Sequence, residues 1–134
     1  LHPGIVRLLW KVKGAERLVA ITDSIMAAGL PDGNYHLGVN QVVVKDGDAK
    51  LASDGTRAGS TLTQDRALRN LLTFTGLPLE EVLPVLTENP ARLIGVFDRK
   101  GSIAEGKDAD LVVLDGECQA TEVFLRGQRL KKRL

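Results

Sequence analysis

The chain has 134 residues, 43% hydrophobic and 26% charged, enough for a packed core and far from the composition of a disordered segment. A formal net charge of +1 gives no reason to expect nucleic acid or an acidic membrane as a partner. The single Cys118 excludes an internal disulfide framework and suits a reducing cytoplasm, no apolar run is long enough to span a bilayer, and no cationic flank precedes an apolar stretch as in a signal peptide.

From Gly4 to Lys13 the apolar residues Ile5, Val6, Leu8, Leu9 and Val12 recur at helical spacing, Pro3 fits a helix start and Gly14 a helix end. The run Leu18 to Thr22 then reads as a strand buried on both faces, and it stops on Asp23. A carboxylate at the carboxyl end of such a strand stands where α/β barrels keep catalytic groups. An Asp in that place is also an ordinary turn former or helix N-cap. The breaker-rich stretch from Ala27 to Gly33 predicts a loop. Tyr35 to Leu37, Gln41 to Lys45 and Ala49 to Ala52 predict short antiparallel strands, with a hairpin turn at Asp46-Gly47-Asp48.

Helices follow. Ser60 or Thr61 is the expected cap of a helix through Leu62, Ala67, Leu68, Leu71 and Leu72 to Gly76. Pro78 and Glu80-Glu81 open a second helix in which Pro84 is an anomaly unless it falls in a first turn. Asn89-Pro90 marks a boundary before a third, Ala91 to Ile94, closed by Gly95. From Gly101 the pattern returns to β, with Gly101-Ser102-Ile103, Asp110 to Leu114 and Glu122 to Leu125 as strands and a turn at Gly127-Gln128. The β pieces at the two ends are expected to complete one sheet with each other. The cations from Arg126 to Arg133 read as a solvated basic tail. The opening Leu1-His2-Pro3-Gly4 and the mixed grammar of the parts predict a fragment of a longer chain, organised as residues 1–30, a β insertion over 31–55, helices over 56–98 and returning β strands over 99–134.

Five stretches carry a resemblance: Ile21-Thr22-Asp23-Ser24, Asp54-Gly55-Thr56-Arg57-Ala58-Gly59-Ser60-Thr61-Leu62, Asp65-Arg66-Ala67, Asn89-Pro90-Ala91 and Gly106-Lys107-Asp108-Ala109-Asp110-Leu111. In order and spacing they resemble the carboxyl-terminal part of the N-acetylglucosamine-6-phosphate deacetylases of the amidohydrolase superfamily. The Gly-Lys-x-Ala-Asp-Leu stretch indicates only the superfamily, whereas Thr-Asp-Ser with Asp-Gly-Thr-x-Ala-Gly-Ser-Thr-Leu is particular to the deacetylases.

The resemblance implies an α/β fold: the last strand and helices of a metal-dependent TIM-barrel hydrolase, with part of a small β-sandwich. It implies a divalent metal, zinc or similar, that activates a water for attack on the acetamide of an amino-sugar phosphate, and a cytoplasmic homodimer when complete. Asp23 matches the catalytic aspartate, which takes the water's proton and returns it to the leaving amine. Arg57, Ala58 and Gly59 match a segment over the substrate, where small residues let backbone approach a ligand. Arg57 departs from the apolar residue expected there, so it pairs with phosphate or faces solvent.

No metal ligand is expected from this chain. The family uses a Glu and two His from earlier barrel strands, His2 reads as structural, and His36 reads as a solvated strand residue. Two other readings remain open: an amidohydrolase acting on a ring amide or nucleobase, and a noncatalytic interaction piece.

Overall fold

The computed structural model describes residues 1–131; Lys132 and Arg133 of the basic tail, and the end of the 99–134 segment, lie outside the described residues. Helix α1 (Pro3–Lys13) is followed by strands β1 (Gly33–Leu37), β2 (Asn40–Lys45) and β3 (Asp48–Leu51). Helices α2 (Gln64–Thr75), α3 (Leu79–Val82) and α4 (Glu88–Leu93) come next, and strands β4 (Leu111–Leu114), β5 (Ala120–Leu125) and β6 (Gln128–Arg129) close the described chain. Two compact units result, one of Ile21–Ala67 and one of Leu1–Ala20 with the chain from Leu68 onward. Among the described residues no helix is long and apolar enough to cross a membrane.

The Ile21–Ala67 unit is built on the sheet β1-β2-β3, antiparallel throughout. Its second hairpin turns at Asp46-Gly47, both with positive φ (52° and 73°), the two-residue turn whose twist suits antiparallel strands. Register sets Tyr35 opposite Val42 and Val42 opposite Leu51, so the period of two puts Val42, Val44 and Ala49 on one face. That face is the core: Val42, Val44 and Ala49 pack with Ile25, Ala27 and Ala58, and Tyr35 and Leu51 edge the cluster. The hairpin is fixed from outside the sheet. The Asp32 carboxylate accepts from the N–H groups of Asp46 (2.5 Å) and Gly47 (3.2 Å), and the Thr61 hydroxyl donates to the Gly47 carbonyl (2.6 Å).

In the other unit α1 begins at Pro3 with His2 as its N-cap and ends where Gly14 takes φ 71°. None of its residues is buried, and Leu8 and Val12 are more than half exposed. The anomaly at Pro84 resolves because α3 gives way to a 3-10 turn at Leu83–Leu86, placing Pro84 in a first turn where a missing N–H breaks no ladder. Asn89-Pro90 lies inside α4 rather than before it. Pro90 is tolerated in that first turn, while the Asn89 amide donates to the carbonyls of Ala15 and Leu18, both at 2.7 Å.

The expected strand over Leu18 to Thr22 does not form. The stretch is extended without a ladder, because buried parallel strands need partners on both sides; just beyond it Ser24 makes an isolated parallel β bridge with Ser60. Ser60 and Thr61 do not cap α2: their hydroxyls are committed to the carbonyls of Thr22 and Gly47, and the helix starts after Thr63. The two β regions do not share a sheet. Each closes in its own three strands, β1-β2-β3 and β4-β5-β6. Gly101-Ser102-Ile103 is not a strand, since Gly101 (φ 89°) turns so close to α4 that a Cβ would stand 2.6 Å from the Ala91 Cβ. The last hairpin turns at Arg126-Gly127, one residue before its expected place.

The stretch from Phe97 to Arg126 is tied by charge. Lys100 bonds the carboxylates of Asp108 (2.9 Å) and Asp110, Arg99 bonds Asp108 (3.0 Å), and Asp110 accepts the Arg126 N–H (2.8 Å). The Lys100 ammonium beside them holds both carboxyls below the usual carboxylate range, the Arg126 N–H adding to the effect at Asp110. A carboxyl with a depressed folded-state pKa stabilises the fold above its unfolded pKa, and that stabilisation is lost as pH falls through the folded value. The stabilisation is therefore full above about pH 4 and is lost progressively as the pH falls from there through the lower folded-state values.

Two outcomes are expected. Val42→Ala should cost about 2 kcal/mol, whereas Val43→Ala, on the exposed face, should cost less than about 0.5; amide exchange of β2 reads the difference, and equal costs would contradict the register. In Lys100→Ala the side-chain carbons of Asp108 and Asp110 should titrate at higher pH than in the unsubstituted chain. Unmoved NMR midpoints would show that Lys100 does not hold them.

Candidate active site

Asp23 follows an extended tract and adopts φ 51°, in the left-handed region that a non-glycine residue enters at a cost on the order of 1 kcal/mol. The conformation is held by a second tract 38 residues further on. The Ser60 N–H donates to the Asp23 carbonyl (2.8 Å) and the Ile25 N–H donates to the Ser60 carbonyl (2.9 Å), the slanted pair of a parallel ladder. Hydroxyls add to it: Ser60 Oγ donates to the Thr22 carbonyl and accepts from the Leu62 N–H (3.2 Å), and Ser24 Oγ donates to the Leu62 carbonyl. Ile25 and Ala27 carry the far side of the Asp23 turn into the unit's core.

Gly59 is required by this contact. It has φ 64°, and a Cβ on it would stand 2.7 Å from Ile25 Cγ2, 2.8 Å from the Asp23 carbonyl oxygen and 3.9 Å from Asp23 Oδ2. Asp23 and Gly59 thus touch.

Ala58 and Arg57 face elsewhere. Ala58 is 5% exposed and its N–H donates to the Ala49 carbonyl (2.9 Å), so its donor is committed to the edge of β3. Arg57 extends into solvent, its side chain 72% exposed, and pairs with Asp48 Oδ1 at 3.1 Å; Lys50 meets the other oxygen of that carboxylate at 3.3 Å. An exposed pair of this kind adds little stability and leaves the guanidinium free to exchange partners. Asp54 shapes the entry to the loop by accepting the Thr56 N–H (2.9 Å).

The residues described do not fit a metal site. His2 Nδ1 accepts the Gly4 N–H (3.1 Å) as a helix cap, His36 is exposed on β1 opposite Gln41, and among the described residues no three His, Cys, Asp or Glu side chains gather as ligands. A cavity of about 300 Å³ lies by the β1–β2 turn, lined by Val39, Asn40, Gln41, Ala52 and Ser53. It has no ionisable lining residue and includes none of the candidate site residues.

Sequence reasoning missed Ser60, Asp32 and Asn89 as organisers of backbone. Ser60 was legible only as a helix cap, because a hydroxyl just before an apolar helical repeat has that commoner meaning. Asp32 and Asn89 act on backbone groups 14 and more than 70 residues away, and no local pattern announces such a bond.

Residues 16–130 match the amidohydrolase family. The chain is 41% identical over 126 residues to the N-acetylglucosamine-6-phosphate deacetylase of Bacillus subtilis, covering 94% of this chain and 32% of that protein. It superposes with a TM-score of 0.86 and 43% identity on the crystal structure of N-acetylglucosamine-6-phosphate deacetylase from Thermotoga maritima, over 96% of this chain and 35% of that one. A mutant of the Mycobacterium smegmatis enzyme, solved in complex with N-acetyl-D-glucosamine-6-phosphate, superposes with a TM-score of 0.86 at 37% identity, over 96% of this chain and 34% of that one. The chain spans about a third of the length of these relatives.

Gly59→Ala is expected to break the contact with Asp23 at a cost above about 1 kcal/mol, because the added Cβ meets backbone and the φ is unfavourable. Faster amide exchange at Ser60 and Ile25, with β4 and β5 unaffected, is the expected reading. Unchanged exchange at those two amides would contradict it.

Proposed function

The chain belongs to the amidohydrolase family, a family of metal-dependent hydrolases, and from that premise we propose that it forms the carboxyl-terminal part of a longer enzyme that deacetylates N-acetylglucosamine 6-phosphate. The observation that carries the reading is the meeting of the Thr-Asp-Ser and Ala-Gly-Ser motifs at one parallel bridge, with Asp23 turned out of the ladder beside Gly59. Relatives with that activity in their names cover this chain almost end to end, and one was solved with the proposed substrate.

In this reading Asp23 is the catalytic residue. As the oxygen of a water adds to the acetamide carbonyl carbon, the Asp23 carboxylate takes the proton that the water gives up. The same proton is then delivered to the sugar nitrogen as the C–N bond breaks, so acetate and glucosamine 6-phosphate leave and the carboxylate is restored. The left-handed turn suits this proton transfer, since the extended tract ends there and the carboxylate stands exposed rather than folded into the core.

Gly59 contributes by shape, lying close under the substrate, Ala58 contributes by seating the loop in the core behind it, and Arg57 is free to leave Asp48 for a phosphate. Zinc or a similar divalent ion supplies the activation of water in such an enzyme, and we assign its ligands to parts of the protein outside this chain. The barrel and sandwich layout and the homodimer rest on the resemblance. The exposed apolar side of α1 supports a continuation of the fold beyond these residues.

In the longer polypeptide, Asp23→Asn should lower turnover of N-acetylglucosamine 6-phosphate by about 10²- to 10⁴-fold with bound metal unchanged. Acetate release and elemental analysis read the two quantities. Turnover within tenfold of the unsubstituted enzyme would remove Asp23 from the chemistry.

A further inference from the structure

Ser60 holds three of the backbone groups around Asp23. Its hydroxyl donates to the carbonyl of Thr22, its N–H to the carbonyl of Asp23, and its own carbonyl accepts the N–H of Ile25. Asp23 lies in the middle of this span with φ 51°. A residue held in an unfavourable conformation persists only where its surroundings over-determine it, and here Ser60 supplies most of that determination. The neighbouring Ser24 gives a comparison within the same bridge. Its hydroxyl also donates to a carbonyl, but to that of Leu62 on the opposite tract, so it does not fix the carbonyls of Thr22 and Asp23.

We infer that Ser60 is a positioning residue for Asp23: its hydroxyl sets the peptide before Asp23, and through it the direction of the carboxylate. The inference rests on the reading of Asp23 as the proton carrier. In Ser60→Ala the Thr22 carbonyl loses its donor and the Leu62 N–H its acceptor, and the Thr22–Asp23 peptide is free to rotate. Substrate contacts are untouched, so the loss belongs to kcat and not to KM.

The experiment compares variants of the longer polypeptide with N-acetylglucosamine 6-phosphate, reading kcat, KM, bound metal and Tm. Ser60→Ala should lower kcat about tenfold, with KM within about twofold and metal content unchanged. Ser60→Thr, which keeps the hydroxyl, should restore kcat. Thr61→Ala deletes a like hydroxyl-to-carbonyl bond, to Gly47 in the second hairpin, and should lower Tm by a similar amount while leaving kcat near that of the unsubstituted enzyme. If the alanine variant does not accumulate, Ser60→Cys, of similar shape but with a weak donor, carries the same expectation for kcat. Wild-type kcat in Ser60→Ala or Ser60→Cys overturns the inference. So does an equal kcat loss in Thr61→Ala, because stability alone would then explain both. Asp23→Asn measured in parallel separates the two claims: if it is inactive while the Ser60 variants are fully active, only the positioning role fails, and if it is itself active, the catalytic reading fails and the inference with it.

Discussion

The parallel bridge between Ser24 and Ser60 is the contact on which the Ile21–Ala67 unit depends. Two tracts that form no longer ladder with each other are joined by two backbone bonds and two hydroxyl ones, and Ser60 Oγ also accepts the Leu62 N–H of its own tract. The hydroxyls do what a longer ladder would do elsewhere, giving donors to carbonyls that would otherwise stand unpaired. The close approach of the tracts explains the residues around the bridge. Gly59 is glycine because nothing larger fits against Asp23 and Ile25, and Ala58 is small because it enters the same core as Val42 and Ala49.

The β1-β2-β3 sheet supports that bridge. Its buried face receives Ile25 and Ala27 from one tract and Ala58 from the other, so the tracts are set against a common floor. Asp32 and Thr61 then fasten the second hairpin to segments that lead to and from the bridge. The three-stranded sheet after Asp23 is thus a mechanical part of the candidate site: it returns the chain to Asp23 and fixes the distance at which it returns.

Much of this was legible in the sequence. The valine run in Gln41 to Lys45 and the Asp-Gly turn located β2 and β3, and helical spacing with Pro3 and Gly14 bounded α1 to within a residue. The failures share a physical origin. Leu18 to Thr22 has the composition of a buried strand, yet a strand is a relation between tracts, and composition says nothing of whether a partner lies alongside. Ser60 and Asn89-Pro90 mislead because capping, turn forming and long-range bonding draw on the same small polar residues. At the candidate site, the resemblance gave Asp23 and Gly59 separate roles and did not state that their backbones would touch. Nor did it indicate that Arg57 would turn to Asp48, which depends on the register of β3.

The Gly106 to Leu111 stretch illustrates how a motif can mark a family without taking part in its chemistry. Lys107 donates to the Phe97 carbonyl and to Ser102 Oγ (2.8 Å), and its ammonium stands 3.6 Å from the centroid of the Phe97 ring, while the Arg92 guanidinium approaches the same ring to 3.4 Å. Asp108 and Asp110 are engaged by Arg99, Lys100 and the Arg126 N–H, and Ala109 accepts the Gly127 N–H (2.8 Å). Each charged group is occupied with an internal partner, so the stretch is a clasp between the segment that follows α4 and the β5–β6 hairpin. A clasp of this kind is independent of substrate, and enzymes with different substrates can retain it. The Thr-Asp-Ser and Ala-Gly-Ser stretches differ in the physical respect that matters: their backbone is tied down at the bridge, while the Asp23 carboxylate is left exposed beside it.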